Sequence, residues 1–490
     1  QPLVLGRIPS DALATFDASA HTGGLSLRLG PGFPAPFSFV GTSGDDSVLF
    51  PAFPAFSNVD GGPGRDILQM TAEDAAAFAS PPSTVTGFEE LALSTPVVSD
   101  INATLFGGVA VLRLLSGMDA DPPRTLTVPA DSQVIVQAEV SGSDRRLTVA
   151  GSGGLTFTVD AGARTPGIQL LQPPAAQLRA GRFLTPPLFE SLTFSNLATV
   201  QMELFSNNAP VRRIPTIVLP DTPADEVLTV SGTAGLDADL IFADTIDARN
   251  LAGGLFLGGA SALTIFGTPA GDQISASGTI NAGAGDDLIS IGGLGIQTVT
   301  LGPGADKVFI SFADGPNRKI ITDFDDTPGT GDVVSFLAPT FAPSGTDNFA
   351  SAASIRDHTS GTVILGPQTE LLRITGASLS GLTGANSLNG TNLLAALGGG
   401  IIVNAVGNAN LVAIRSEEVA VIGTFDLILD PAAQIGGLGK VEVGIYYGVD
   451  ADENAQLTAS ELTLVAVLQG PNVSITGLTF QNFSTEPPPQ

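Results

Sequence analysis

Apolar residues recur along this chain in short runs that alternate with polar ones, and turns rich in glycine and aspartate separate the runs. In Val85-Thr-Gly-Phe-Glu-Glu-Leu-Ala-Leu-Ser94 and Leu188-Phe-Glu-Ser-Leu-Thr-Phe-Ser195, alternating apolar positions follow a Phe-Glu pair. Side chains two residues apart share one face of a strand, so this is the pattern of a half-buried strand. Short mixtures of threonine and apolar residues repeat it at 126–128, 155–157, 227–230, 263–265 and 298–300. Helical periodicity is scarce; short helices are expected at 71–78, where alanine dominates, and near 392–397. The pattern predicts an all-β fold, with short strands in β-solenoid or β-roll and sandwich-like units and very little helix. Proline-rich stretches at 173–174, 186–187 and 210–223 mark one junction and 338–349 another. They give three regions, 1–210, 211–340 and 341–490, with a proline-ended tail at 484–490 expected to lack fixed structure.

A repeat lies inside the turns. Gly41-Thr-Ser-Gly-Asp-Asp46, Gly61-Gly-Pro-Gly-Arg-Asp66, Gly267-Thr-Pro-Ala-Gly-Asp272, Gly283-Ala-Gly-Asp-Asp287 and Gly302-Pro-Gly-Ala-Asp306 each lead to a spacer and an apolar pair. Glycines permit the positive φ values and close backbone approach that let carbonyls converge, and the aspartate adds a carboxylate. These are the ingredients of a calcium turn, with Asp46, Asp66, Asp272, Asp287 and Asp306 as candidate ligands. In a parallel β-roll the equivalent aspartates stand one coil, roughly 18 residues, apart. The steps Asp46 to Asp66 and Asp287 to Asp306 approximate this, and the shorter step from Asp272 to Asp287 does not. In Ile321-Thr-Asp-Phe-Asp-Asp-Thr-Pro-Gly-Thr-Gly-Asp-Val-Val334, Asp323, Asp325, Asp326 and Asp332 are candidates to add ligands.

A different calcium pattern occurs near the end of the chain. Asp450, Asp452, Asn454, Gln456, Thr458 and Glu461 occupy positions 1, 3, 5, 7, 9 and 12 of a loop of the kind found in helix–loop–helix calcium sites. Position 6, which in such loops carries the glycine of the sharp turn, is Ala455, and both flanks read as strands. The competing reading is an acidic hairpin loop held by its own hydrogen bonds.

Charge sharpens this picture. The chain has 48 acidic against 20 basic residues and a net charge of −28, so no basic stripe is present to bind nucleic acid or an anionic membrane, and cations are the natural partners. With 43% apolar and 14% charged residues it is too hydrophobic to stay disordered. The apolar runs fall far short of the ~20 residues of a membrane helix. The absence of cysteine excludes disulfides, thiolate nucleophiles and cysteine-ligated metals. The first residues form neither a basic nor an apolar leader, so export is expected to follow removal of a signal or another route.

Taken together, the glycine-aspartate turns, the Phe-Glu-x-Leu strands, the Ile-Thr-Asp-Phe and Gly-Asp-Val-Val-Ser-Phe segments and the late Asp-rich loop before Leu462-Thr-Leu-Val-Ala-Val-Leu468 resemble the RTX family. They resemble in particular its surface-layer proteins. That resemblance implies type I secretion, folding triggered by extracellular calcium, and calcium-dependent self-assembly. The chain departs from the family where turns lack the second glycine. RTX proteins also include enzymes, but no His-Glu-x-x-His or Gly-x-Ser-x-Gly is present, and His21 and His358 stand apart. With no tryptophan and only two tyrosines, an aromatic platform for sugars is nearly absent. The expectation is a non-enzymatic structural protein of the bacterial cell surface that binds calcium and forms a homo-oligomeric layer or filament, with a cell-surface polysaccharide as candidate anchor. An RTX adhesin or ligand-binding module is the alternative, and an RTX-like hydrolase comes third.

Overall fold

The structure is a computed structural model describing residues 2–8, 14–32, 36–78, 83–143, 145–160, 162–163, 188–197, 199–205, 211–219, 225–261, 264–292, 297–311, 319–337, 355–365, 371–379, 389–403, 409–417, 441–449, 452, 454–470, 473–479 and 482–484. It is 50% strand and 6% helix, wound as a β-solenoid of about 12 turns, which is the all-β, helix-poor fold expected. The chain forms two compact units, residues 1–262 and 263–490, so the break falls within the expected middle region.

Parallel strands stacked rung on rung build the first unit. One face runs through Leu25–Leu29, Ser47–Leu49, Ile67–Met70, Glu90–Leu93, Val111–Leu114, Ser132–Val136, Gly154–Val159, Thr199–Leu204 and Val227–Gly232. In register, Leu27, Val48, Leu68, Leu91, Leu112, Val134, Phe157, Met202 and Val230 form a single inward column. All are buried. Burying such a side chain stabilises the fold by about 1.5–3 kcal/mol, and a parallel strand admits it only if its alternation keeps register with the rungs on either side. Both Phe-Glu segments become rungs, in Glu90–Leu93 and Ser191–Ser195.

The second unit begins as a two-faced roll. Thr264–Phe266, Thr279–Asn281, Gln297–Thr300 and Lys319–Thr322 stack on one face. Gln273–Ala276, Leu288–Ile291, Lys307–Ser311 and Val333–Leu337 stack on the other. Its next rung comes from far along the chain: Val467 and Leu468 pair beside Ile320 and Ile321, and Phe483 beside Val334. Between them lies an inserted layer, in which Val441–Val449 pairs antiparallel with both Ala409–Glu417 and Leu462–Gln469. Leu372, Ile374, Leu393, Leu397, Tyr446 and Leu464 share its core.

Both short helices form where expected. Ala72–Ala77 starts at Thr71, whose hydroxyl accepts a hydrogen bond from the Asp74 amide, and Thr391–Leu397 stops at Gly398 with φ of 67°. The proline-rich tail at 485–490 lies outside the described residues.

Candidate metal centre

The turn aspartates stack into two ladders, one in each unit. Each strand enters its rung just after an aspartate, so parallel pairing places that carboxylate beside the backbone of the rung before it. Oδ1 of Asp66 accepts the Asp46 amide at 2.7 Å across a 20-residue step. In the second unit, Oδ1 of Asp287 accepts the Asp272 amide across 15 residues, and Oδ1 of Asp306 accepts the Asp287 amide across 19, both at 2.8 Å. Oδ1 of Asp332 accepts the Asp306 amide at 3.0 Å across 26 residues. The same Oδ1-to-amide contact recurs across all of these uneven steps. All six carboxylates are buried, at 0–3% exposure.

The rungs differ in what meets the second carboxylate oxygen. In Asp46, Oδ2 accepts the Thr42 amide at 2.6 Å, and Oδ1 accepts the Thr42 hydroxyl at 2.6 Å and the Leu25 amide at 2.7 Å. Asp272 is held in the same way: its Oδ2 accepts the Thr268 amide and its Oδ1 the Thr268 hydroxyl, each at 2.7 Å. By contrast, Oδ2 of Asp66, of Asp287 and of Asp306 is buried with no hydrogen-bond partner among the described residues. The residue whose amide meets Oδ2 in the closed rungs lies four positions upstream, at Thr42 and Thr268; the open rungs have Gly62, Gly283 and Gly302 there, and Oδ2 receives no amide. These glycines adopt φ of 89°, 110° and 92°, a left-handed conformation that threonine adopts only with strain.

An unpaired buried carboxylate oxygen is costly, and the titration of these groups reflects it. Burial pushes Asp287 up to about 8 and Asp66 and Asp306 to about 7, with neighbouring carboxylates adding to the rise. Asp332, whose Oδ2 accepts the Asp325 amide at 2.7 Å, is raised only to about 6.

Other acidic residues have other occupations. Asp323 closes the turn before it, both oxygens accepting at 2.9 Å from the Leu301 and Gly302 amides. Asp326 accepts the Ser474 amide and so ties the late segment to the roll. In the first ladder Glu89 continues the series, its Oε2 accepting the Asp66 amide at 2.7 Å. The sequence presents Glu89 only as half of a Phe-Glu pair. Its neighbour Glu90 is engaged with Arg113 at 2.6 Å.

In the late loop, Asp450 lies outside the described residues. Asp452 accepts the Asn454 amide and side-chain nitrogen, Asn454 accepts the Gln456 amide, and Oε2 of Glu461 accepts the Thr458 amide and hydroxyl. Ala455 sits at φ 66°, the left-handed conformation that position 6 demands. Its flanks are strands, as expected.

Among the described residues, no three His, Cys, Asp or Glu side chains gather into a metal-holding group. What these turns offer a cation is therefore three orphaned Oδ2 atoms, one hard carboxylate oxygen per glycine-type rung, the donor type that calcium takes. Comparison of the chain with protein-family models, with curated proteins and with solved structures gives no match.

Proposed function

We propose that this chain is an extracellular, calcium-loaded structural solenoid that self-assembles into a layer or filament on a bacterial surface. The observation that carries the calcium half of this reading is the set of buried, partnerless oxygens on Asp66, Asp287 and Asp306. Each needs a proton or a cation, and in a chain of net charge −28 a divalent cation relieves both the local desolvation and the wider self-repulsion. Calcium would be held there by carboxylate and backbone oxygen, and would couple folding to the outside of the cell. Assembly and location rest on the resemblance to RTX surface-layer proteins and on the cysteine-free, acidic composition. The regular stack of rungs suits a structural role, since it repeats one apolar column over many coils.

Electron microscopy of the purified chain with calcium and with a chelator tests the whole reading. Ordered assemblies that form only with calcium support it. Compact monomers under both conditions overturn it and move a monomeric adhesin to first place.

A further inference from the structure

The two kinds of rung occupy different places in the ladders. Among the described residues, the rung at the start of each ladder, Asp46 in the first unit and Asp272 in the second, is closed by protein groups alone. The same network is built twice: the threonine hydroxyl donates to Oδ1, the threonine amide donates to Oδ2, and that hydroxyl accepts the amide of Gly44 or of Ala270 at 3.1 Å. In the second unit the far end is closed as well, where Asp332 takes the Asp306 and Asp325 amides. The open rungs, Asp287 and Asp306, lie between closed ones, and Asp66 lies between Asp46 and Glu89.

We infer that Thr42–Asp46 and Thr268–Asp272 are ion-independent seed rungs in which a threonine does the work of a cation, and that only the glycine-type rungs of Asp66, Asp287 and Asp306 take calcium. This rests on the calcium reading above and narrows it to particular aspartates. The physical argument is one of satisfied valence. A carboxylate whose two oxygens already accept short hydrogen bonds from an amide and a hydroxyl gains little from a metal and would have to break those bonds to bind it. A carboxylate with one bare buried oxygen gains the full interaction. A seed that forms without metal also gives the next strand a template: its backbone amide is the donor that positions Oδ1 of the following aspartate. Calcium is then needed to extend the ladder and not to begin it.

The test compares Asp287→Asn, Asp272→Asn and Thr268→Val in the full chain, reading calcium stoichiometry by calorimetry and Tm with calcium and with chelator. Asp287→Asn is expected to lower stoichiometry by about one ion and to shrink the calcium-induced rise in Tm. Asp272→Asn and Thr268→Val are expected to lower Tm by the same amount with and without calcium, leaving stoichiometry unchanged. Equal loss of bound calcium in Asp272→Asn and Asp287→Asn overturns the inference while leaving the calcium reading intact, whereas a wild-type chain that binds no calcium overturns both. Should Asp272→Asn fail to fold, the milder Thr268→Val decides: a calcium-dependent drop in Tm sinks the inference, and a calcium-independent one supports it.

Discussion

A single atom, Oδ2 of a rung aspartate, sets the solution behaviour expected of this protein. The carboxyls of Asp66, Asp287 and Asp306 rise from 3.8 to about 7, 8 and 7, so between those limits the metal-free folded chain holds more protons than the unfolded one. Stability therefore decreases as pH rises. In chelator the Tm should be higher at pH 5 than at pH 8, by roughly 5 °C or more, and saturating calcium should flatten the profile because the cation takes the proton's place. A metal-free Tm that rises over the same interval would show these carboxylates to be stabilised by something other than a proton. Ala455 offers a second residue-scale measurement. An L residue at φ 66° carries a steric cost that glycine escapes, so Ala455→Gly should stabilise the chain by about 1 kcal/mol in urea unfolding.

At the scale of the element, the turns are more constrained than the strands. A Cβ placed on Gly302 would lie 1.7 Å from the Gly283 carbonyl oxygen, and the residue's φ is 92°. Gly302→Ala must distort two stacked turns, and a loss of roughly 3 kcal/mol or more is expected in denaturant unfolding. The strands tolerate more, because their outward positions alternate with the core ones. The short helix Ala72–Ala77 is a contrast: its hydroxyl cap at Thr71 is local, so Thr71→Ala should cost only about 1 kcal/mol and leave calcium binding unchanged.

For the whole molecule, calcium acts as a ligand of the native state, and its effect on stability follows the logarithm of its free concentration. Tm should climb steadily with calcium above its dissociation constant, and magnesium, which keeps its waters and demands tighter octahedral geometry, should substitute poorly in the same melts. The second unit carries a particular vulnerability. Its last rung is supplied by the strands at Leu462–Gln469 and Phe483–Ser484, and Asp326 binds the Ser474 backbone between them. Truncation before residue 462 should expose the end of the roll and lower the Tm of that unit, a change separable from the first unit by limited proteolysis.

The sequence by itself determined the class of fold and the stacking turns. Alternation of apolar residues, as in Leu91 and Leu93 after Phe88-Glu89, is a local property that survives in the rung, and the glycines before each rung aspartate announce a tight turn. It also held the distinction between Thr268 and Gly283, legible only after the ladder showed why that position matters. The tertiary structure alone decided which oxygens are left bare, because Oδ1 is satisfied by an amide from another coil, 15 to 26 residues away. It alone decided, too, that Leu468 and Phe483 complete a roll whose neighbouring rungs end at Thr322 and Leu337. No local pattern specifies the partner of a strand; parallel pairing across so long an insertion is settled by the apolar column that needs another rung to cover it.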